Sequence, residues 1–384
     1  MFKVLNACLN RKQELPLPHH VDEKQLANDF NTFFDEKIEK IRSELNSNST
    51  DPTVETVVDT ETSLDNFKTL SHAEIRKLIS EMPKKHCALD PIPTWLLLEC
   101  LDEFLPVIAE IVNLSLTLGQ MPQALKHALV KPLLKKAGIE PIKKNYRPVS
   151  NLSFLSKVIE SAVIKQYTDH IVKNKLDDKK QSAYKKFHST ETLLSRIHND
   201  IILSMSRGEV TMLILLDLSA AFDTIDHSIL IKRLENRNGI NGSALQWFKS
   251  YISQRSQAVI LNDVMSERLD LKYGVPQGSK LGPILFNSYI APVSEVAQRN
   301  QIKDEKYADD EQLVLSFKPN FLGDQIKAVE KMEKCIEEIR NFLTENMLCN
   351  NSDKTELLII GTPQQLKKLK VSSIQVNNIE IQTV

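Results

Sequence analysis

The stretch Thr211–Leu216, TMLILL, runs straight into Asp217. Its residues are apolar or β-favouring without interruption, which suits a strand buried on both faces. An aspartate at the end of such a strand is costly unless its charge is compensated, and a bound cation would do so. Further along, Glu305–Ala308 and Gln312–Phe317 read as strands flanking Asp309 and Asp310. Two like charges at a hairpin tip repel and require a cation or free solvation. A strand-end aspartate beside an Asp-Asp hairpin lets three carboxylates from two neighbouring strands converge on a pair of divalent ions. One ion would activate an attacking oxygen and the other would stabilise a leaving one. Magnesium suits a few carboxylates completed by water and phosphate.

The surrounding chain favours helix. Phe30, Phe34, Ile38, Ile41 and Leu45 recur every three or four positions and predict an amphipathic helix over 23–45. Asn46–Asp65, poor in apolar residues, reads as a linker. Ser71 with Glu74 forms a capping-box pattern for a helix to about Met82. Asp90-Pro91 opens a further helical region, and Pro106–Leu118, Ser153–Gln166, Thr190–Arg207 and the segment from Ala220 onward also read as helix. Ala128–Leu134 is a strand candidate, Asn145–Pro148 a turn, and Gln257–Asn262 with Arg268–Tyr273 a hairpin around Asp263–Glu267. Only 10 of 384 residues are glycine, yet Gly274, Gly278 and Gly282 fall close together, so the backbone there turns tightly or approaches something closely. No internal repeat is visible, which excludes a solenoid.

At roughly 150 residues per domain the chain is long enough for two or three domains. Its 41% hydrophobic and 26% charged residues describe a globular protein rather than a disordered one, and no apolar run is long enough to span a membrane. Met1–Arg11 lacks the pattern of a secretory signal, so an intracellular setting, nuclear or cytoplasmic, is expected. Cys8, Cys87, Cys100, Cys335 and Cys349, with no C-x-x-C spacing, read as small packed side chains rather than disulfides or zinc ligands. The net charge of −1 conceals a split: residues 1–125 hold 20 acids against 12 bases, and residues 126–384 hold 30 against 37. Lys126, Lys131, Lys135, Lys136, Lys143, Lys144 and Arg147 stand against Glu140 alone, a stretch able to hold phosphates.

Five stretches carry a family resemblance. They are KNYRPVSNLSFLSKVI (Lys144–Ile159), QSAYKKFHSTETLL (Gln181–Leu194), LLDLSAAFDTIDH (Leu215–His227), GVPQGSKLGPILF (Gly274–Phe286) and YADD (Tyr307–Asp310). In order and spacing they resemble successive motifs of a reverse transcriptase, most of all the polymerase of non-LTR, LINE-type retrotransposons of the jockey and chicken-repeat group. DPIPTWLL (Asp90–Leu97) resembles the stretch preceding that polymerase core. The resemblance implies an α+β, right-hand polymerase with fingers, an antiparallel palm sheet backed by helices and a truncated thumb. It divides the chain into a helical leader and linker (1–65), a helical region (66–125), fingers with the start of the palm (126–210), palm (211–361) and the start of a thumb or tail (362–384).

The resemblance further implies RNA-directed DNA synthesis on an RNA template, from a DNA primer, with deoxynucleoside triphosphates. Asp217, Asp309 and Asp310 would hold two Mg²⁺ ions, with Mn²⁺ as a possible substitute. Phe222 would crowd a 2′-hydroxyl, Gln277 and Gly278 would line the incoming nucleotide, and Lys354 would be a proton donor to departing pyrophosphate. Arg147 and Lys135 would meet the triphosphate. Asp223 and His227 are expected to be structural, Asp226 a solvated helix residue, His19-His20 a loop, Tyr307 a support for the hairpin, and Trp95 and Trp247 core or interface residues. Lys280 and Cys349-Asn350-Asn351 depart from the family pattern, and neither is expected to touch the metals. Relatives of this kind carry an endonuclease ahead of the polymerase and a thumb after it, so target nicking is not expected from this chain. Rival readings are an RNA-copying RNA polymerase, disfavoured by Phe222, and an inactive or domesticated fragment that binds RNA without turnover.

Overall fold

A computed structural model describes residues 16–48, 62–351, 354–376 and 379–383. Cys8 and most of the expected linker lie outside these residues. Helices α1 (Glu23–Asn48), α2 (His72–Ser80), α3 (Thr94–Glu99) and α4 (Leu101–Leu118) precede strands β1 (His127–Leu134) and β2 (Tyr146–Asn151). Then follow α5 (Phe154–Lys173), α6 (Thr190–Ser206), β3 (Val210–Leu216), β4 (Leu218–Ser219), α7 (His227–Asn236), α8 (Gly242–Ile252), β5 (Arg255–Leu261), β6 (Val264–Met265) and β7 (Leu269–Leu271). The chain continues through α9 (Gly282–Ile290), α10 (Val293–Arg299), β8 (Lys303–Tyr307), β9 (Asp310–Phe317) and α11 (Leu322–Glu345). Its last described elements are β10 (Cys349–Asn350), β11 (Glu356–Ile360), α12 (Pro363–Leu366), β12 (Ser373–Val376) and β13 (Ile379–Gln382).

The uninterrupted apolar run of β3 places it inside an antiparallel sheet ordered β11-β3-β9-β8. Both faces are covered. Val210, Met212, Ile214 and Leu216 join the main core with Met332, Ile336 and Ile339 of α11, while Leu193, Ile197 and Ile201 of α6 pack with Tyr307 and Ile360. A second sheet runs β2-β1-β5-β6 with β7 also on β5, and its β1–β5 pair is parallel. α1 lies on this sheet: Leu26, Ala27, Phe30 and Phe34 cluster with Val130, Tyr146, Val259 and Leu261. Ile374 and Val376 of β12 are buried in the main core, so the last described residues form part of the folded body.

Several local expectations are corrected. Asn145–Pro148 is not a turn: Tyr146–Asn151 is an edge strand, where Pro148 faces Pro132 and no further strand needs its missing N–H. Val264–Met265 pairs with β5 inside the segment expected to be a plain loop. Asp90 does not open a helix. Its carboxylate accepts from the amides of Cys87 (2.9 Å) and Phe154 (2.6 Å), and helix resumes only at Thr94. The helix expected from Ala220 begins at His227, because Ala220 adopts φ +52 and Asp226 caps the amides of Ser228 (2.9 Å) and Ile229 (3.2 Å). Trp247 is core, donating to Ser115 (3.0 Å), but Trp95 is 65% exposed.

Asp226 is therefore not a solvated helix residue. Arg42 of α1 reaches it with one guanidinium nitrogen (2.7 Å), donates another to the Thr224 carbonyl (3.1 Å) and stacks over the Tyr273 ring (3.8 Å). This clamp ties α1 to the turn that follows β4. Arg42→Leu should leave Asp226 without its countercharge and lower unfolding stability by about 3 kcal/mol, the low end for a broken buried pair because Asp226 retains some solvent. Urea titration measures this, and adding Asp226→Asn should recover part of the loss; an unmoved midpoint for Arg42→Leu would show that the clamp contributes nothing.

Candidate active site

β3 and β9 pair from Val210↔Phe317 to Leu216↔Glu311, so the next position on each strand brings Asp217 alongside Asp310. β9 and β8 form a hairpin closed at Tyr307↔Asp310, which leaves Ala308 and Asp309 as a two-residue tip. Ala308 takes φ +57, uncommon for a residue with a Cβ, and is held there from outside the hairpin. Gln181 accepts from the Ala308 amide (2.9 Å) and donates to its carbonyl (3.0 Å), while its oxygen also accepts from Ala183 (2.9 Å). The backbone at Lys180 and Ser182 bonds to Lys306 on either side. Tyr307 packs against Leu193, Ile197 and Ile201 of α6.

The carboxylates share one electrostatic field. Burial raises Asp309 above the usual carboxylate range, and the charge of Asp217 adds to it. Burial likewise raises Asp310, followed by the charges of Asp309 and Asp217. The Lys354 ammonium opposes both shifts, and it bonds Oδ2 of Asp217 at 2.8 Å. Asn351 donates its backbone amide to the Asp217 carbonyl (2.8 Å) and its side chain to Oδ2 (3.3 Å). The Cys349-Asn350-Asn351 segment that departs from the family pattern is thus bonded to Asp217 through Asn351. Among the described residues, no three His, Cys, Asp or Glu side chains stand close enough together to hold a metal ion. Asp217 faces Lys354 and Asn351 instead. The donor set still fits a hard divalent cation in kind, since it consists of oxygen donors whose mutual repulsion a cation would relieve.

Phe222 meets the loop that carries Gln277 and Gly278 through a backbone hydrogen bond. Phe222 stacks on Phe286 (4.8 Å between centroids, 24° between planes), and its carbonyl accepts from Val275 (2.9 Å). His227 Nε2 bonds the Gly274 carbonyl (2.8 Å), the structural role expected of it. Burial pushes the Asp223 carboxyl up to about 6, and Lys37 counteracts the shift. The Gln277 carbonyl accepts from the Ser150 amide of β2 (2.7 Å), and Gly278 lies so close to Ser150 that an added Cβ would sit 2.2 Å from its carbonyl oxygen. Gly278 also has φ +124, so both space and backbone conformation require glycine there.

Behind this loop lies Glu160, fully buried on α5. Burial raises its carboxyl, which accepts from the amides of Lys280 (2.7 Å) and Leu281 (3.3 Å) and the hydroxyl of Tyr251 (3.3 Å). The Lys280 ammonium reaches Ser161 (2.8 Å), so this residue serves the loop and α5 rather than the carboxylates. Lys135 and Arg147 stand on the sheet side. Lys135 donates to the Lys144 carbonyl (2.7 Å) and Arg147 to the Lys135 carbonyl (3.3 Å). Burial lowers Lys135, and the charges of Lys37, Lys354 and Arg147 lower it further, so the basic stretch faces the lysine that holds Asp217.

Sequence reasoning did not single out Gln181, Glu160, Asn351 or Lys37. Gln181 opens a quoted motif, and an acid inside the apolar run Val158–Val163 is itself a signal of a buried, hydrogen-bonded carboxylate. Asn351 and Lys37 carry no comparable mark, because their partners are remote in sequence.

Comparison with known proteins places these residues in context. The family described as reverse transcriptase (RNA-dependent DNA polymerase) matches residues 134–377. The RNA-directed DNA polymerase from mobile element jockey of Drosophila melanogaster is 28% identical over 245 residues, 62% of this chain and 26% of the relative. The Drosophila funebris protein of the same name is 27% identical over 274 residues, 71% of this chain and 28% of the relative. The probable RNA-directed DNA polymerase from transposon BS of D. melanogaster is 26% identical over 256 residues, 65% of this chain and 28% of the relative. The chain thus spans little more than a quarter of each of these relatives.

Glu160→Ala should leave the Lys280 and Leu281 amides without an acceptor and destabilise the protein by about 2–6 kcal/mol, at roughly 1–3 kcal/mol per orphaned group. Glu160→Gln keeps an acceptor oxygen and should lose much less. Chemical denaturation of both variants tests the point, and equal losses would refute the role given to the carboxylate.

Proposed function

Because the chain belongs to the reverse transcriptase family, we propose that it is the polymerase portion of a non-LTR retrotransposon protein and copies an RNA template into DNA from a DNA primer. The observation that carries this reading is the register that sets Asp217 beside Asp310, next to the Asp309 hairpin tip, at one end of the β3–β9 pair, with Lys354 bonded to Asp217. On this reading residues 126–210 are fingers with the start of the palm, and 211–361 are palm. Residues 1–65 and 66–125 form the preceding leader and helical region, and 362–384 begin a thumb. Such a protein works where nucleic acid is, in nucleus or cytoplasm; among the described residues no helix is long and apolar enough to cross a membrane.

The reaction is nucleotidyl transfer. The primer 3′-oxygen forms a bond to the α-phosphorus of a deoxynucleoside triphosphate, the bond from that phosphorus to the β-phosphate oxygen breaks, and the hydroxyl proton is lost as pyrophosphate departs. Two magnesium ions, or manganese in their place, would be held by Asp217, Asp309 and Asp310 and would supply activation of the attacking oxygen and charge neutralisation on the leaving one. Lys354 has two tasks. It holds Asp217 while no cation does, and once released it is a proton donor within reach of the departing pyrophosphate. Phe222, locked on Phe286, gives the sugar pocket a rigid aromatic wall that crowds a 2′-hydroxyl. Gln277 and Gly278 line the nucleotide, and Lys135 and Arg147 meet its triphosphate.

Asp309→Asn should cut primer extension on a primed RNA by about 10³-fold or more; synthesis at the parental rate would remove the role assigned to that carboxylate. Phe222→Ala should admit ribonucleotides and erode the preference for deoxynucleotides by roughly tenfold or more. Single-nucleotide incorporation with each substrate measures it, and an unchanged ratio would count against the sugar-pocket assignment.

A further inference from the structure

We propose that Lys37, on α1, binds the phosphates of the incoming nucleotide alongside Lys135 and Arg147; this rests on the polymerase reading above. The first observation is where Lys37 lies on its helix. It follows Phe34 by three residues and precedes Ile41 by four, so it shares the inward face of α1. That face is buried at Phe30 and Phe34, against the β1–β5 sheet, and α1 is buried again at Arg42 and Leu45. Lys37, between them, is exposed and makes no hydrogen bond or ion pair among the described residues. α1 is anchored on either side of this position, by Asp29 on Lys143 (2.8 Å) and by Arg42 on Asp226 (2.7 Å), so Lys37 lies exposed between the basic stretch and the turn that follows Phe222.

The charges around that position identify its role. Lys37 counteracts the upward shift of Asp223, the neighbour of Phe222, and also bears on Lys135 of the basic stretch. Lys135 in turn feels Arg147 and Lys354, the lysine bonded to Asp217. Lys37, Lys135, Arg147 and Lys354, from four separate segments, thus share one electrostatic neighbourhood, in which Lys354 is bonded to Asp217. The nearby acids of α1 do not neutralise Lys37: Asp29 pairs with Lys143 (2.8 Å) and Glu39 with Lys272 (2.7 Å). Such a concentration of like charge is unfavourable in the free protein and favours a polyanion. The proximity of Lys37 to Asp223, and so to the sugar wall at Phe222, selects the triphosphate over the backbone of a nucleic-acid strand.

The test is lysine acylation of the full chain with an N-hydroxysuccinimide acetate ester, read residue by residue by mass spectrometry. A saturating deoxynucleoside triphosphate should slow modification of Lys37 by about fivefold or more, while the matching nucleoside does not and Lys40, exposed on the same helix, is unaffected. Equal modification with and without triphosphate overturns the proposal, as does protection by a primer–template duplex but not by triphosphate. The readout does not depend on turnover, so protection in a chain that extends no primer would sink the polymerase reading and leave this one standing. Where extension is measured, Lys37→Gln should raise the nucleotide KM about tenfold with a smaller fall in kcat, and Lys37→Arg should restore it. An unchanged KM would also overturn it.

Discussion

The antiparallel pairing of β3 with β9 is the constraint on which the site depends. Asp217 and Asp310 are brought together because Leu216 pairs with Glu311, and Asp309 joins them because the β8–β9 hairpin closes on a two-residue tip. The alternation of side chains along a strand makes this register unforgiving, since a shift of one residue would turn the acids to opposite faces. Burial of both faces of β3 opposes such a shift. α11 with the main core covers one side and α6 the other, and displacing either would expose apolar side chains worth roughly 1.5–3 kcal/mol each.

Polar groups far from the acids keep the surrounding walls in place. Gln181 holds Ala308 in its left-handed conformation with both ends of one amide. Glu160 holds the loop behind Gly278 through the amides of Lys280 and Leu281. The same loop meets the second sheet where the Gln277 carbonyl accepts from Ser150, and Arg42 ties α1 to the turn containing Asp226. Each bonds a partner distant in sequence, which makes the arrangement specific as well as stable. The two sheets are joined by these bonds rather than by a continuous ladder.

Charge is arranged with the same economy. Burial and the charge of Asp217 raise Asp309 and Asp310, and the ammonium of Lys354, bonded to Asp217, opposes both shifts. Lys135, Arg147 and Lys37 on α1 form a basic group that is electrostatically linked to Lys354. Acids on one side and bases on the other create a field gradient suited to a ligand that presents phosphate to the bases and a reacting centre to the acids.

Much of this was legible in the sequence. TMLILL announces a doubly buried strand because nothing polar interrupts it, the capping box at Ser71 and Glu74 forms as read, and Asp217 at a strand end and Asp309-Asp310 at a hairpin lie where the sequence puts them. The motifs were readable because they are local: each places its chemistry within a few residues of its own structural signal. What the tertiary structure alone decided was long-range pairing. Asp226 is a cap and an ion-pair partner because Arg42, 184 residues away, folds onto it, and Asn351 meets Asp217 across 134 residues. Lys37 lies between the basic stretch and the turn after Phe222 because α1, read simply as amphipathic, is anchored by Asp29 on Lys143 and by Arg42 on Asp226. Periodicity gives the apolar stripe that a helix buries, but only the packed chain shows which partners, far off in sequence, that helix meets.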